Sequence, residues 1–341
     1  MFKYKKIYLW LIILCLILII IGCQKNNKQD YNTNTKKEKH FIVNKTATYT
    51  YDKMKSHIEK LNNRYSTIKV DTIGSSYLER NLYLLKFGSG NKKIIVVGGV
   101  HGREGLTSLL IMRMIEEYAR NYKQDESIDE YDLKSIFNQV SIYFVPMLNP
   151  DGIEIAVKGI GNLKNKEFYL KANENSNDFK RWKANARGVD LNKQFKAHWE
   201  SVKSKAHPHY ESYKGPAPES EPESRALASL TKKEEFAVTV CFHHSGRVIY
   251  WYYNQTGKQL KRDYELAKAI GSINGYELVS AEDSNLRAAG YKDWFIKDFE
   301  KPGFTVEIGY KNKVERPLSG NKLSRYLNEN RCVLLEIADR I

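Results

Sequence analysis

Apolar residues recur three or four positions apart in several stretches of the chain and form continuous runs in others. The first pattern, at residues 51–65 and 106–120, predicts amphipathic helices. The continuous runs are short, which predicts strands that are buried on both faces. They lie at 82–88, 92–100, 140–148, 235–246 and 303–309, and further helical spacing occurs at 223–235, 264–273 and 324–341.

The order of these elements indicates the fold class. Apolar strands that alternate with helices are typical of an α/β domain with a mostly parallel or mixed central sheet and helices on both faces. No internal repeat and no second domain boundary is evident in the folded part of the sequence. We therefore expect one domain over residues 46–341, closed by a C-terminal helix at 324–341. The strand that begins at 140 is expected to end in a turn, Asn-Pro-Asp-Gly, at 149–152.

The N-terminal residues have the layout of a secretion signal. A basic start, MFKYKK, precedes an apolar run of about 15 residues, which is short for a membrane span of about 20. Gly22 and Cys23 follow directly, and this arrangement resembles the lipobox of bacterial lipoproteins, whose cysteine carries lipid after cleavage. We expect a signal peptide over residues 1–22 and lipidation of Cys23; an uncleaved anchor helix is the alternative. Both interpretations place the remaining chain outside the cytoplasm, held at the bacterial cell membrane.

The segment after the signal predicts a disordered tether. Residues 23–45 are polar, rich in Asn and Lys, and almost free of apolar side chains. Residues 1–45 hold nine Lys against two acids, so that +7 of the formal net charge of +15 lies here. The remaining +8 is spread over the domain without a dense basic stretch. This distribution argues against nucleic acid as a partner and suits a protein that works near an anionic surface.

Cysteine content limits the kinds of metal site. Beyond the N-terminal segment the chain has only Cys241 and Cys332, too few for a disulfide scaffold, and it has no Cys-x-x-Cys pair. Any metal must therefore be held by histidines and carboxylates. In open α/β sheets, ligand sites lie beyond the carboxyl ends of the strands. Four predicted strands end in suitable residues: His101 with Glu104, Asn149 with Asp151, His243 with His244, and Glu307.

These residue types suit a zinc hydrolase, which uses three protein ligands and keeps one position for water. His101 and Glu104 can share a metal across a strand-to-helix turn, although their spacing alone equally fits a loop histidine and a glutamate that favours a helix N-terminus. His243 and His244 point to opposite faces of their strand, so that only one of them can serve the same metal. Glu307 follows a buried apolar run, where a charged side chain is costly to bury. We therefore expect it to have either a catalytic role or an ionic partner among the Lys and Arg residues.

Five motifs in order resemble the M14 zinc carboxypeptidases from about residue 48 to the end of the chain. They are HGREG, NPDG, NARGVDLNKQF, FHHSGRVIYWY and PGFTVEIG. Within that family, WKANARGVDLN, AGYKDW and the strand end HHSG are similar to the bacterial γ-D-glutamyl–diamino acid endopeptidases, which cut the stem peptides of peptidoglycan. The resemblance implies a zinc carboxypeptidase-like fold, peptidase activity and one Zn²⁺ ion.

The resemblance also implies roles for individual residues. His101, Glu104 and His243 match the zinc ligands; His243 is preferred to His244 because the histidine of that branch stands three residues before a glycine, here Gly246. Glu307 matches the general base and acid. The remaining matches are an oxyanion-stabilising cation, either Arg187 or Lys183, and a substrate-binding group formed by Arg103, Asn192 and Lys193.

Two departures from the family pattern bear on the substrate. Lys193 stands where the family usually has an arginine that clamps a carboxylate with two hydrogen bonds, and lysine offers only a point charge. The mobile tyrosine of the digestive enzymes is replaced by Phe295 and Ile296, with Tyr291 nearby. The zinc chemistry is unaffected by either change.

The sequence therefore predicts a zinc-dependent peptidase that hydrolyses the γ-D-glutamyl–diamino acid bond of peptidoglycan stem peptides. One alternative is an extracellular metallocarboxypeptidase that trims the C-terminal residues of free peptides. The other is a non-catalytic lipoprotein that binds the cell wall. We expect a monomer whose partners are a peptide or muropeptide and, through the N-terminal lipid, the membrane.

Overall fold

The computed structural model describes residues 41–244, 246–279, 289–310 and 319–341. The predicted signal peptide at 1–22, Cys23 and most of the tether lie outside these residues. Across the described part of the chain, no helix combines the length and apolar character needed to cross a bilayer. One compact unit extends from Ile42 to Ile341.

An eight-stranded sheet forms the centre of this unit, in the order β1-β2-β4-β3-β5-β8-β6-β7. Strands β4, β3, β5 and β8 run parallel to one another at the centre of the sheet. Strand β2 is antiparallel to both β1 and β4, and β6 is antiparallel to β8. The sheet is therefore mixed with a parallel centre, and the predicted fold class is confirmed. The strands are β1 Lys69–Ser75, β2 Asn81–Phe87, β3 Lys92–Val97, β4 Val140–Val145, β5 Val238–His244, β6 Val248–Tyr250, β7 Glu277–Leu278 and β8 Gly303–Ile308.

Helices cover both faces of the sheet. Along β3, Ile94 and Val96 belong to one hydrophobic core, and Ile95 and Val97 belong to the core on the opposite face. This alternation explains why the strand is apolar at every position. The helices are α1 Tyr51–Arg64, α2 Gly105–Gln124, α3 Leu133–Gln139, α4 Pro150–Lys158, α5 Lys166–Ala172, α6 Pro222–Glu234, α7 Gly257–Asn274, α8 Tyr291–Phe299, α9 Leu323–Asn330 and α10 Val333–Arg340.

The start of the folded domain differs from the prediction. Ile42 and Val43, assigned to the end of the tether, donate backbone hydrogen bonds of 2.7 Å each to the carboxylate of Glu116 on α2. Val43 is fully buried in the larger core. The apolar sequence Phe-Ile-Val at 41–43 is long enough to anchor the chain, so the domain begins near residue 42 rather than 46.

The C-terminal segment also differs from the single helix that was predicted. It forms two short helices, α9 and α10, which meet at Arg331 and Cys332. The carbonyl of Arg331 accepts a hydrogen bond from the Tyr118 hydroxyl on α2, and its guanidinium pairs with Asp129 at 2.7 Å. These tertiary contacts hold the junction against the core.

The Asn-Pro-Asp-Gly sequence is the start of helix α4 rather than an isolated turn. Asn149 is the N-cap, since its side chain accepts a hydrogen bond of 2.9 Å from the Gly152 N–H, and Pro150 occupies the first turn, where its missing N–H costs nothing. A capping asparagine followed by proline is a recognisable helix start, so the sequence itself carries the signal for α4.

Asn149 also joins three loops at the carboxyl edge of the sheet. Its side-chain amide donates to the carbonyls of Val100 and Ala184, each at 3.1 Å. The loops pack backbone against backbone, because a Cβ atom on Gly152 would lie 2.3 Å from the Ala184 carbonyl oxygen. Val100 immediately precedes His101, so this buried asparagine positions the candidate site.

We expect Asn149→Ala to lower the free energy of unfolding by about 3 kcal/mol, because it removes a helix cap and leaves buried carbonyls without donors. The matched control is Asp132→Ala, which removes the exposed cap of α3 and should cost about 1 kcal/mol. Urea unfolding followed by circular dichroism measures both. Equal losses for the two variants would show that Asn149 is an ordinary cap.

Candidate metal centre

Three buried side chains meet at the carboxyl edge of the sheet. The Nδ1 atom of His101 lies 2.6 Å from Glu104 Oε1, and the Nδ1 atom of His243 lies 3.0 Å from Glu104 Oε2. The two Nδ1 atoms are 3.2 Å apart. Within the described ranges, these are the only three side chains of metal-ligating type that converge in this way.

The fold brings these side chains together from distant parts of the sequence. His101 follows β3 and precedes a 3₁₀ turn, Gly102–Glu104, that leads directly into α2. His243 lies near the end of β5, the neighbour of β3, and is in register with Glu307 on β8. Since the carboxyl ends of parallel strands share one edge, the four residues form one cluster.

The arrangement fits a zinc ion. A tetrahedral zinc site with bonds of about 2.0–2.1 Å separates neighbouring ligand atoms by about 3.3 Å. The Nδ1–Nδ1 separation of 3.2 Å and the His243–Glu104 separation of 3.0 Å are close to this value, and the His101–Glu104 separation of 2.6 Å is shorter. Two imidazole nitrogens and a carboxylate are suitable ligands. Burial raises the pKa of Glu104, but His101 and His243 outweigh burial and hold the pKa of this carboxyl well below its ordinary value. The carboxylate is therefore ionised and able to coordinate a cation.

A second carboxylate supports the cluster from behind. Asp190 is buried, and its Oδ1 atom lies 3.3 Å from the Nε2 atom of His101. Burial raises the pKa of Asp190, but the positive charges of Lys183, His101 and Lys193 together hold it below its usual range. The contact lies outside hydrogen-bond geometry, because Nε2 of His101 has no hydrogen-bond partner within the described residues, but the negative charge of Asp190 favours the ring orientation in which Nε2 faces Asp190 and Nδ1 faces the metal position. Sequence reasoning missed Asp190, although a charged residue within Gly-Val-Asp-Leu-Asn was an available signal.

His244 points away from the cluster, as alternation along a strand requires. Its Nε2 atom lies 3.0 Å from the carbonyl oxygen of Arg103. Burial lowers the pKa of His244, which favours the neutral ring. This histidine therefore steadies the loop that carries Arg103, while His243 faces the candidate metal position.

Glu307 faces the cluster from β8 with one oxygen uncommitted. Its Oε2 atom is shielded from solvent and has no hydrogen-bond partner within the described residues. Burial raises the pKa of Glu307 to about 7; Glu104 adds to the effect, while His243, Lys183 and Arg103 oppose it. A carboxyl group with a pKa near neutrality can both accept and return a proton.

The structure separates the two candidate oxyanion cations. The Nζ atom of Lys183 lies 4.0 Å from Asp190 Oδ2, and its positive charge acts to lower the pKa of Glu307. Arg187 instead lies 3.8 Å from Glu221, and its guanidinium covers the ring of Tyr77 at 5.4 Å. Of the two, only Lys183 has contacts with the cluster, so the contacts of Arg187 do not support a place beside the reacting groups.

The predicted substrate-binding residues flank the cluster. Asn192 and Lys193 are half-buried in a 3₁₀ turn that Asp190 caps. Burial lowers the pKa of Lys193; the charges of Lys183 and Lys214 act in the same direction, and Asp190 opposes them. Arg103 is also half-buried, with its guanidinium 3.9 Å from Glu211.

The position expected for a mobile tyrosine lies in the core. Phe295 and Ile296 on α8 are fully buried, and the Tyr291 hydroxyl shares a hydrogen bond of 2.7 Å with Thr231. These side chains hold α8 against the sheet. They therefore offer no group that could swing over a substrate.

A buried His-Glu-His cluster with an adjacent uncommitted carboxyl group has the groups that a metal-dependent hydrolase requires. Residues 54–331 match the zinc carboxypeptidase family, peptidase M14. The chain belongs to this family and is a hydrolase of the metallopeptidase class.

Individual relatives agree with this assignment. The chain is 36% identical over 271 residues to γ-D-glutamyl-L-diamino acid endopeptidase 1 of Lysinibacillus sphaericus, covering 79% of this chain and 67% of the relative. It is 25% identical to human carboxypeptidase A6, over 85% of this chain and 67% of that protein. The crystal structure of thrombin-activatable fibrinolysis inhibitor shares the fold, with a TM-score of 0.70, 21% identity, and coverage of 88% of this chain and 75% of that one.

We expect Asp190→Asn to weaken zinc binding by about 10–100-fold, because a neutral amide supports the His101 imidazole less well than a carboxylate. Competition with a chromogenic chelator measures the affinity. Asp178→Asn, at an exposed 3₁₀ cap, is the matched control and should bind zinc normally. An unchanged affinity in Asp190→Asn would remove Asp190 from the metal centre.

Proposed function

We propose that this protein is a zinc-dependent peptidase that hydrolyses the γ-D-glutamyl–diamino acid bond of peptidoglycan stem peptides. The likeness to the Lysinibacillus endopeptidase supports the choice of bond. The observation that carries the catalytic assignment is the Oε2 atom of Glu307, which is shielded, close to the His-Glu-His cluster and without a hydrogen-bond partner among the described residues. A purely binding protein has no need of such a group.

His101, Glu104 and His243 would hold one Zn²⁺ ion through two Nδ1 atoms and a carboxylate. When bound, this ion supplies Lewis-acid polarisation of the scissile carbonyl and lowers the pKa of water toward about 7. Glu307 accepts the proton of the attacking water at Oε2 and later delivers it to the leaving amine. Its raised pKa, about 7, suits both directions of transfer.

Lys183 stabilises the negative charge that develops on the carbonyl oxygen. Its contacts with Asp190 and its effect on Glu307 favour it over Arg187 for this role. The charge of Asp190 keeps the ammonium group beside the cluster, so that little reorganisation is needed when the oxyanion forms.

Asn192, Lys193 and Arg103 bind a carboxylate of the substrate. A lysine accepts carboxylates over a wider range of angles than the two-point clamp of an arginine. A stem peptide has carboxylates on the D-glutamyl and diamino acid residues, not only at a free C-terminus. The looser site therefore suits a branched substrate better than simple trimming of C-terminal residues.

The choice of substrate is tested by mass spectrometry of purified muropeptides before and after treatment. Peptides that end in Lys, Arg or an aromatic residue serve as the comparison set. We expect cleavage between D-glutamate and the diamino acid, with little release of single C-terminal residues. Rapid release of C-terminal residues with intact muropeptides would instead establish a metallocarboxypeptidase.

We expect Glu307→Gln to reduce hydrolysis by about 10²–10⁴-fold, because an amide cannot accept the proton of water. Zinc content should stay at one ion per chain, since Glu307 is not among the three ligands. Atomic absorption and a chromatographic cleavage assay give the two readouts, with the exposed Glu200→Gln as control. Near-normal turnover in Glu307→Gln would refute the assignment of the base.

Lys183→Ala should lower kcat by about 10²–10³-fold with a smaller change in KM, because the oxyanion charge is greater in the transition state than in the bound substrate. Lys183→Arg should restore part of the loss. Lys180→Ala, an exposed lysine three residues earlier, is the matched control. A loss confined to KM would reassign Lys183 to substrate binding.

We also propose that the mature protein is a monomer, anchored by lipid at Cys23 to the outer face of the bacterial cell membrane. The basic start, the short apolar run and Gly22-Cys23 support this location. Labelled fatty acid should enter the wild-type protein, and Cys23→Ser should remove the label and release the protein from membranes. Equal labelling of both proteins would contradict lipidation at Cys23.

A further inference from the structure

A cavity of about 770 Å³ lies beside the metal centre and includes none of its residues. Its lining comes from the β1–β2 turn, the segment at 162–165, helix α5, and the loops around 186–189 and 208–216. The side chains of Tyr77, Tyr213, Asn162, Asn165, Lys164 and Arg187 contribute aromatic faces, amides and two positive charges. The proposed reaction uses none of these groups.

The cavity shares a wall with the metal centre. The carbonyl oxygen of Tyr213, a lining residue, accepts a hydrogen bond of 2.7 Å from the N–H of Asp190. Val189, another lining residue, directly precedes Asp190 in the chain. A ligand in the cavity therefore lies close to Asp190, the residue that supports His101.

Tyr77 is exposed and yet held in place. Its side chain is 48% exposed, the largest value among the large hydrophobic residues that the structure describes. Its backbone N–H donates to the buried carboxyl of Glu223 at 3.1 Å, and the guanidinium of Arg187 lies 5.4 Å from its ring centre. An exposed ring that is already positioned loses little freedom when a ligand packs on it.

These groups favour a sugar over a peptide. A pyranose ring has faces of C–H bonds that pack against the electron-rich face of an aromatic ring, while its hydroxyl and acetamide groups pair with side-chain amides and cations. None of the lining residues in the described part of the chain belongs to a strand, so these residues offer no sheet edge that a peptide could extend.

We propose that this cavity binds the N-acetylated amino sugar of the glycan strand that carries the stem peptide. The proposal rests on the proposed function, because it assigns the neighbouring part of the same substrate. The bond between D-glutamate and the diamino acid lies two residues from the sugar, which is about 7 Å for extended α-linked peptide, and the γ-linkage of the glutamyl residue adds two carbons to this path. The shared wall at Asp190 is compatible with a single substrate that occupies both sites.

The kinetic test uses two substrates with the same stem peptide, one attached to the disaccharide and one free. We expect wild-type KM to be about tenfold lower for the sugar-bearing substrate. This advantage should fall below about twofold in Tyr77→Ala and persist in Tyr77→Phe, which keeps the ring. Tyr264→Ala removes a comparably exposed tyrosine, at 41%, from α7 and should keep the full advantage.

A binding test separates this proposal from the proposed reaction. N-acetylglucosaminyl-N-acetylmuramic acid without peptide should bind the zinc-loaded wild-type protein in calorimetry, and Tyr77→Ala should weaken that binding about tenfold. If neither peptide substrate is cleaved, the proposed function fails, while disaccharide binding still reports on the cavity. The sugar site would be overturned by equal KM values for the two substrates in the wild type, by no disaccharide binding, or by an equal effect of Tyr77→Ala on both substrates. The last of these results would assign the cavity to the peptide.

Discussion

The convergence of two imidazole nitrogens and one carboxylate in a buried space is the constraint on which the site depends. The Nδ1 atoms of His101 and His243 are 3.2 Å apart, a separation that is unfavourable for two neutral acceptors unless a proton or a cation lies between them. Glu104 is held ionised beside them. The parallel strands β3 and β5 and the turn before α2 fix these atoms, so the fold supports a cation site before any ion binds.

Neighbouring elements place the catalytic groups beside these three ligands. The register between β5 and β8 pairs His243 with Glu307, which places a proton acceptor against the ligands. Asp190 connects the opposite side, because it supports His101 and attracts Lys183. Buried Asn149 ties the loop before His101 to the loop that follows Lys183. A change in one of these contacts therefore shifts ligand geometry and proton transfer together.

The central strands could be predicted from sequence because burial on both faces leaves an uninterrupted apolar run, as in β3. The strands at the two ends of the sheet could not: β7 and its neighbour β6 have two and three residues, too few for a readable period, and β1 at the other edge is mostly polar and has no buried face. His101, Glu104 and Glu307 stood out as polar residues at the ends of apolar runs. The choice between Lys183 and Arg187 required tertiary contacts, because both are cations in one irregular segment. Asp190 was missed for the same reason: its role depends on a loop that returns to His101.

The most direct test of the central claim is X-ray absorption at the zinc edge on the purified domain. The account predicts one zinc per chain with two imidazole nitrogens at about 2.0–2.1 Å and carboxylate oxygen at about 2.0–2.2 Å. The signal should lose one imidazole in His243→Ala and keep both in His244→Ala. A sulfur ligand, a spectrum that changes only in His244→Ala, or no stoichiometric zinc would contradict the metal centre described for this protein.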